Sequence, residues 1–264
     1  MLLPDYRGHN SGRGASPNIW YDLPPDITWD NSVGWFFRDD FVNQPAVAAG
    51  SVALYGSYHG FASTGGAGAV STSLPGGVLT LSSDDDNEGA SIAQAMKPFK
   101  IDRDQGKFWF EARIRTSTIA DTKHGFFLGL IDTATLSATV PLTAAGALAD
   151  QNLVGFHRLE GDGDYVDTVY KANGVTAVTV KADAGVLAAD TWVKLGMKFD
   201  PKDFKLRFYR NGTELDDTKT IPTADGTDFP NDVLLGMVFA VLNATGSTPG
   251  DSGIDWWQAA QLAV

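Results

Sequence analysis

The sequence contains no cysteine, which excludes disulfides, thiol nucleophiles and thiolate metal centres. It also lacks any apolar run near the roughly 20 residues that a membrane-crossing helix needs. Its first residues, MLLPDYRGHN, have no basic stretch followed by an apolar one, so no secretory signal is expected there. Cationic residues are scarce: 20 Lys and Arg stand against 32 Asp and Glu, a formal net charge of -12. They are mostly dispersed singly, and without a basic patch to displace phosphate counterions no nucleic-acid partner is expected. Four histidines occur, His9, His59, His124 and His157, with no H-x-x-x-H spacing. No G-x-S-x-G and no glycine-rich phosphate loop before a helix is present. Zinc binding and serine hydrolysis therefore have no motif to stand on, and no cofactor is expected.

What is present is β-sheet patterning. Hydrophobic residues make up 43% of the chain, and 29 glycines supply tight turns. The stretch Thr191 to Leu215 organises the rest. Val193, Leu195, Met197 and Phe199 alternate with Trp192, Lys194 and Lys198, and Phe204, Leu206 and Phe208 alternate with Lys205, Arg207 and Tyr209. Period-2 alternation puts one face on a core and the other toward water. Asp200-Pro201-Lys202-Asp203 and Asn211-Gly212 are the turns. Further strands are expected at Gly77 to Ser82, Ser91 to Ala95, Lys107 to Arg115, Leu153 to Leu159, Tyr165 to Lys171, Val175 to Lys181 and Gly253 to Leu262. Gly125 to Ile131 and Leu234 to Leu242 are apolar on both faces and should be central. Residues 45 to 77, rich in Ala, Gly and Ser, are expected to be mostly loop with a short strand or two. Residues 133 to 150 read as a long connection.

Residues 1 to 37 differ. Prolines and glycines alternate with Tyr6, Trp20, Tyr21, Trp29, Trp35, Phe36 and Phe37 in no fixed period. A disordered leader is one reading, although such segments are poor in aromatics. An extended arm lying on a partner or neighbouring subunit is another, and an arm folded back on its own sandwich is a third.

The series FWFEARIR, GFFLGLID, TWVKLGMKFD with KLRFYRNGTEL, and GIDWW resembles the concanavalin A-like (LamG-like) jelly roll over about Asp39 to Val264. The resemblance implies an all-β, two-sheet antiparallel jelly-roll sandwich at residues 38–264 preceded by an extended arm at 1–37. Members include lectins, glycan hydrolases, carbohydrate-binding modules and tailed-phage virion proteins. The phage versions are similar in lacking cysteines and in carrying an arm. On that ground the first expectation is a virion structural protein, a capsid decoration (cement) protein made in the host cytoplasm. Its implied partners are the major capsid protein and further copies of itself, as a trimer. Tyr6, Trp20, Tyr21, Trp29 and Trp35 are its expected docking residues. The alternative is a lectin-like carbohydrate-binding module, with Trp256 and Trp257 as possible glycan contacts and surface glycans as partner.

An enzyme is not expected. Glycoside hydrolysis needs two flanking carboxylates, which family members place as E-x-D-x-E. Here Glu88, Glu111, Glu160 and Glu214 each stand alone, and Glu111 shares its strand face with Arg113 and Arg115, as on an ion-paired solvent face. Asp162, Asp164 and Asp167 in GDGDYVD are weak calcium candidates, as are Asp84, Asp85, Asp86 and Glu88. Neither run has the EF-hand pattern.

Overall fold

The computed structural model describes residues 12–42, 46–47, 51–55 (backbone), 57–71, 76–83, 85–120, 124–132, 141–143, 147–159, 161–225, 227–243 and 250–264. Within these the chain begins with a short helix α1 (Pro17–Trp20) and a 3-10 turn (Pro25–Thr28). Strands follow as β1 (Gly34–Asp39), β2 (Ser51–Tyr55), β3 (Tyr58–Ala62), β4 (Gly66–Val70), β5 (Leu79–Ser83), β6 (Gly89–Gln94), β7 (Phe108–Thr116) and β8 (His124–Ile131). The second half adds β9 (Leu153–Arg158), β10 (Tyr165–Lys171), β11 (Val178–Val186), β12 (Val193–Asp200), β13 (Lys205–Arg210), β14 (Thr213–Thr220), β15 (Gly236–Asn243) and β16 (Gly250–Leu262). They form two antiparallel sheets. Sheet A runs β14-β13-β12-β7-β16-β5-β4, with β1 also on β16, and sheet B runs β11-β10-β9-β8-β15-β6-β3-β2. The expected two-sheet sandwich is what the chain adopts.

Alternation explains the core between the sheets. Phe108, Phe110, Ala112 and Ile114 of β7 point inward beside Phe199, Met197, Leu195 and Val193 of β12, each opposite its partner in register. Sheet B answers with Phe126, Leu128, Phe156, Tyr170, Met237 and Phe239. Phe156 and Phe208 meet edge to face across the gap at 5.6 Å. The Asn211-Gly212 turn holds both residues at positive φ, 50° and 79°, as a two-residue hairpin requires.

Composition misled in one place. The Ala, Gly and Ser-rich stretch holds three strands, β2, β3 and β4, rather than one or two within a loop. Gly66 opens β4 because a Cβ there would meet the Gly89 carbonyl oxygen at 2.2 Å, so glycine marks close packing here and not a turn. The last hairpin strand of sheet B also starts later than expected, at Val178 instead of Val175.

The division expected after residue 37 runs through a strand. β1 pairs with β16 from Gly34↔Leu262 to Asp39↔Trp257. The residues before β1 cross the outer face of sheet A. Ile19 and Ile27 are buried there against Trp109 of β7, Tyr209 of β13 and Ala260 of β16. Gly196 of β12 provides the seat: a Cβ on it would stand 2.6 Å from Ile19 Cδ1. The outer face of sheet B is apolar too, with Phe127, Leu153, Val169 and Val238 packed under Leu142 and Leu148. This is why Gly125 to Ile131 and Leu234 to Leu242 are apolar on both faces.

Removing residues 1–37 strips β16 of a paired strand and uncovers Trp109. The expected outcome is aggregation, or a melting temperature several degrees lower. Ile19→Ala, which empties the Gly196 seat, is expected to cost roughly 2–5 kcal/mol in urea unfolding. A truncated chain with unchanged melting temperature contradicts this.

Candidate functional site

Residues 13–22 are held on sheet A by polar contacts as well as by Ile19. The Ser16 N–H, which opens α1, and the Trp20 Nε1–H both donate to Glu111 Oε2, at 2.9 and 2.8 Å. Glu111 is fully buried. It does not share an ion-paired solvent face, as expected from its strand, because the N-terminal segment covers it. Burial pushes its carboxyl above the ordinary value, and the Ser16 and Trp20 donors do not offset that. Two residues on, Asp22 is the hub of an ion cluster. Its Oδ1 accepts from Lys198 Nζ at 2.8 Å and Trp109 Nε1 at 3.0 Å, and its Oδ2 from Lys107 Nζ at 2.9 Å. Burial pushes Asp22 up, but these donors outweigh it and hold the carboxyl below its ordinary value. At the other end Arg13 and Arg113 both pair with the buried Asp255 carboxylate, each at 2.6 Å.

Beside the Asp22 cluster, over β12 to β14, lies a groove of about 450 Å³ lined by Asn18, Tyr21, Lys198, Asp200, Arg207, Tyr209, Gly212 and Glu214. Asn18 Nδ2 donates to the Gly212 carbonyl at 3.1 Å, fixing α1 over the β13–β14 turn. The Lys198 ammonium sits 4.4 Å from the centre of the Tyr21 ring, while the side chain is 76% exposed. A cation against one face of the ring orients it and leaves the other face to solvent. Asp200 is paired with Lys107 at 2.8 Å, which offsets the effect of burial and keeps it below the ordinary aspartate range. Glu214 accepts from the Tyr209 hydroxyl at 3.2 Å and pairs with Arg207. Salt-bridged carboxylates, a guanidinium and an amide beside a fixed aromatic face suit the binding of a polyhydroxylated ring better than proton transfer.

The residues singled out from sequence divide. Tyr21, Trp29 and Trp35 are exposed, at 76, 62 and 50%. Trp20 is half-buried and bound to Glu111, and Tyr6 lies outside the described residues. Trp256 and Trp257 are both buried and do not form a sugar platform. Trp257 points into the core, and the Trp256 indole donates to the Arg13 carbonyl under the N-terminal segment at 2.6 Å. Of the calcium candidates, Asp162 and Asp167 come together, with His157 in place of Asp164. Asp85, Asp86 and Glu88 form no such group among the described residues, and Asp84 lies outside them. Sequence reasoning missed the groove because alternation reports which face a residue is on, not what later covers it. The aromatic spacing of residues 20–35 was the available signal.

No protein-family model and no curated protein sequence matches the chain. Solved structures do. Peanut lectin superposes with a TM-score of 0.55 at 14% identity, covering 88% of this chain and 99% of that one. The sandwich is concanavalin A-like. The carbohydrate recognition domain of Emp47p gives 0.54 at 13% identity over 89% and 99% of the two chains. A protein of unknown function from Shewanella oneidensis MR-1 gives 0.55 at 13% identity over 88% of each. At these identities the likeness is one of fold.

Glu111 and Asp22 titrate with opposite effect. Glu111, with its pKa raised, favours the fold below its ordinary value of 4.5 and loses that contribution as pH rises through the folded value. Asp22, with its pKa lowered, contributes above 3.8 and loses it as pH falls through the folded value. Melting curves should show Glu111→Gln gaining on the unmodified chain as pH rises from 4.5 toward neutrality. Glu111→Ala should be destabilised throughout, by about 1–3 kcal/mol for each donor left unpaired. A gap between Gln and Glu that shrinks with rising pH would contradict the assignment.

Proposed function

We propose that the chain is a carbohydrate-binding, lectin-like module whose glycan lies in the groove beside Tyr21. The observation that carries this is the Tyr21 ring, braced by Lys198 on one side and open on the other. The C–H face of a pyranose packs on such a ring, and Asn18, Asp200, Arg207 and Glu214 offer planar donors and acceptors to its hydroxyls. The fold shared with peanut lectin and with the Emp47p carbohydrate recognition domain supports the reading.

A second reading keeps the docking role, on a protein surface such as a virion shell. It is favoured by the exposure of Trp29 and Trp35, which do not line the groove. In that reading the chain is a capsid decoration protein bound to the major capsid protein, and oligomeric.

A glycan array with the intact chain separates the two. Binding is expected, and titration of the best glycan should show Tyr21→Ala weakened at least about tenfold, the change that about 1.4 kcal/mol produces. Tyr21→Phe should bind nearly normally, and the melting temperature should hold in both variants because the side chain is exposed. A silent array, with the chain recovered in many copies from purified virions, would favour the docking reading. Glycan binding that survives Tyr21→Ala would move the site elsewhere.

A further inference from the structure

On the other sheet, we propose that the β9–β10 hairpin forms a binding site for a divalent transition-metal ion of the zinc class, with His157, Asp162 and Asp167 as ligands. One ligand atom from each of the three lies within 4.8 Å of the others. His157 of β9 is directly opposite Asp167 of β10 in the antiparallel register, so both side chains leave the sheet on one face. Asp162, in the connecting loop, is turned back toward them by the Leu159 N–H, which donates to its Oδ2 at 2.6 Å. The three residues are spaced H-x4-D-x4-D along one hairpin, so strand pairing brings His157 and Asp167 together and the loop adds Asp162.

The second observation is the histidine itself. His157 is only 5% exposed, yet its Nδ1 is shielded from solvent and makes no hydrogen bond. The nearest carboxylate oxygen, Asp162 Oδ2, stands 3.5 Å away. That is long for a hydrogen bond but close to the spacing of two ligands on one metal. Tetrahedral ligands at the usual zinc–nitrogen and zinc–oxygen distances lie about 3.3 Å apart. A cation between the three groups satisfies the imidazole nitrogen and offsets the repulsion of the carboxylates.

The ligand types decide the metal. One imidazole and two carboxylates suit zinc and its transition-metal neighbours, whereas calcium takes six to eight oxygens. The cluster opens on a cavity of about 680 Å³ that Asp150, Lys171 and Thr179 also line, leaving a fourth position for water or a ligand. Asp167 is oriented from behind by the Asp183 N–H on its Oδ1 at 2.8 Å, the kind of support that metal-binding carboxylates have.

The test contains no glycan, so it is independent of the sugar reading. The intact chain, freed of metal by chelator and dialysis, is titrated calorimetrically with Zn2+ and, in parallel, with Ca2+. One equivalent of Zn2+ should bind and raise the melting temperature. His157→Gln and Asp167→Asn should each weaken binding at least about tenfold, while Asp164→Asn and His59→Gln leave it unchanged. Loading with Co2+ should give the intense visible bands of a tetrahedral, histidine-bound ion. This readout on the unmodified chain decides the matter if a variant does not fold. No heat with Zn2+, undiminished binding in His157→Gln, Ca2+ binding that ignores His157, or a pale cobalt spectrum would each overturn the proposal.

Discussion

Glu111 sits in the middle of sheet A, fully shielded from solvent, and the N-terminal segment lies where it does because of that. A buried carboxylate must find donors, and those it has are the N–H of Ser16, which caps a four-residue helix, and the Trp20 indole. Once Ser16 and Trp20 are fixed there, Ile19 falls over Gly196, where no side chain competes for the space. Asp22 then arrives between Lys107, just before β7, and Lys198 of β12, pairing with both. The helix is too short to be stable alone. Its conformation is imposed by the surface beneath it, and in return it removes from water a sheet face carrying Trp109, Tyr209 and Trp256.

The inner faces of the sandwich were legible in the sequence because alternation is a local property. Val193 to Phe199 and Phe108 to Ile114 each declare their own inward set, and pairing only has to align them. The outer faces were not. Glu111, Trp109 and Trp256 look like solvent-facing residues of strands, and nothing within a few positions of them announces that residues 13–27 will come to rest above. The partner is more than 80 residues away in each case, as the Trp20–Glu111 separation of 91 shows. The same limit hid the place of His157 beside Asp162 and Asp167. Its distance from Asp167 looks arbitrary along the chain and becomes a direct juxtaposition only once the register of β9 and β10 is known. Asp164, nearer in sequence to both aspartates, is not part of the group.

The groove beside Tyr21 therefore belongs to two separate parts of the chain. Its floor and far wall come from β12 to β14, which any sandwich of this type can supply. Its aromatic edge comes from the covering segment, along with Asn18. A groove built this way separates the residues that hold the segment from those that face solvent. Buried Ile19 and Ile27 hold the segment, while the exposed positions between them are free to vary without disturbing the sheet.

The placement of β16 has a consequence for how the chain reaches this structure. The strand is flanked along one edge by β7 and along the other by β5 and then β1, end to end. Yet it follows all of them in the chain. During synthesis β1, β5 and β7 emerge long before the strand that joins them, and each carries an unsatisfied ladder of N–H and C=O groups while it waits. Gly34 finds its partner only in Leu262, so closure of the sheet is a late, long-range event of the kind that makes β-sandwich folding slow. A ribosome stalled before Gly250 would hold a chain whose sheet A is in separate pieces, prone to capture the same strand from a neighbouring copy.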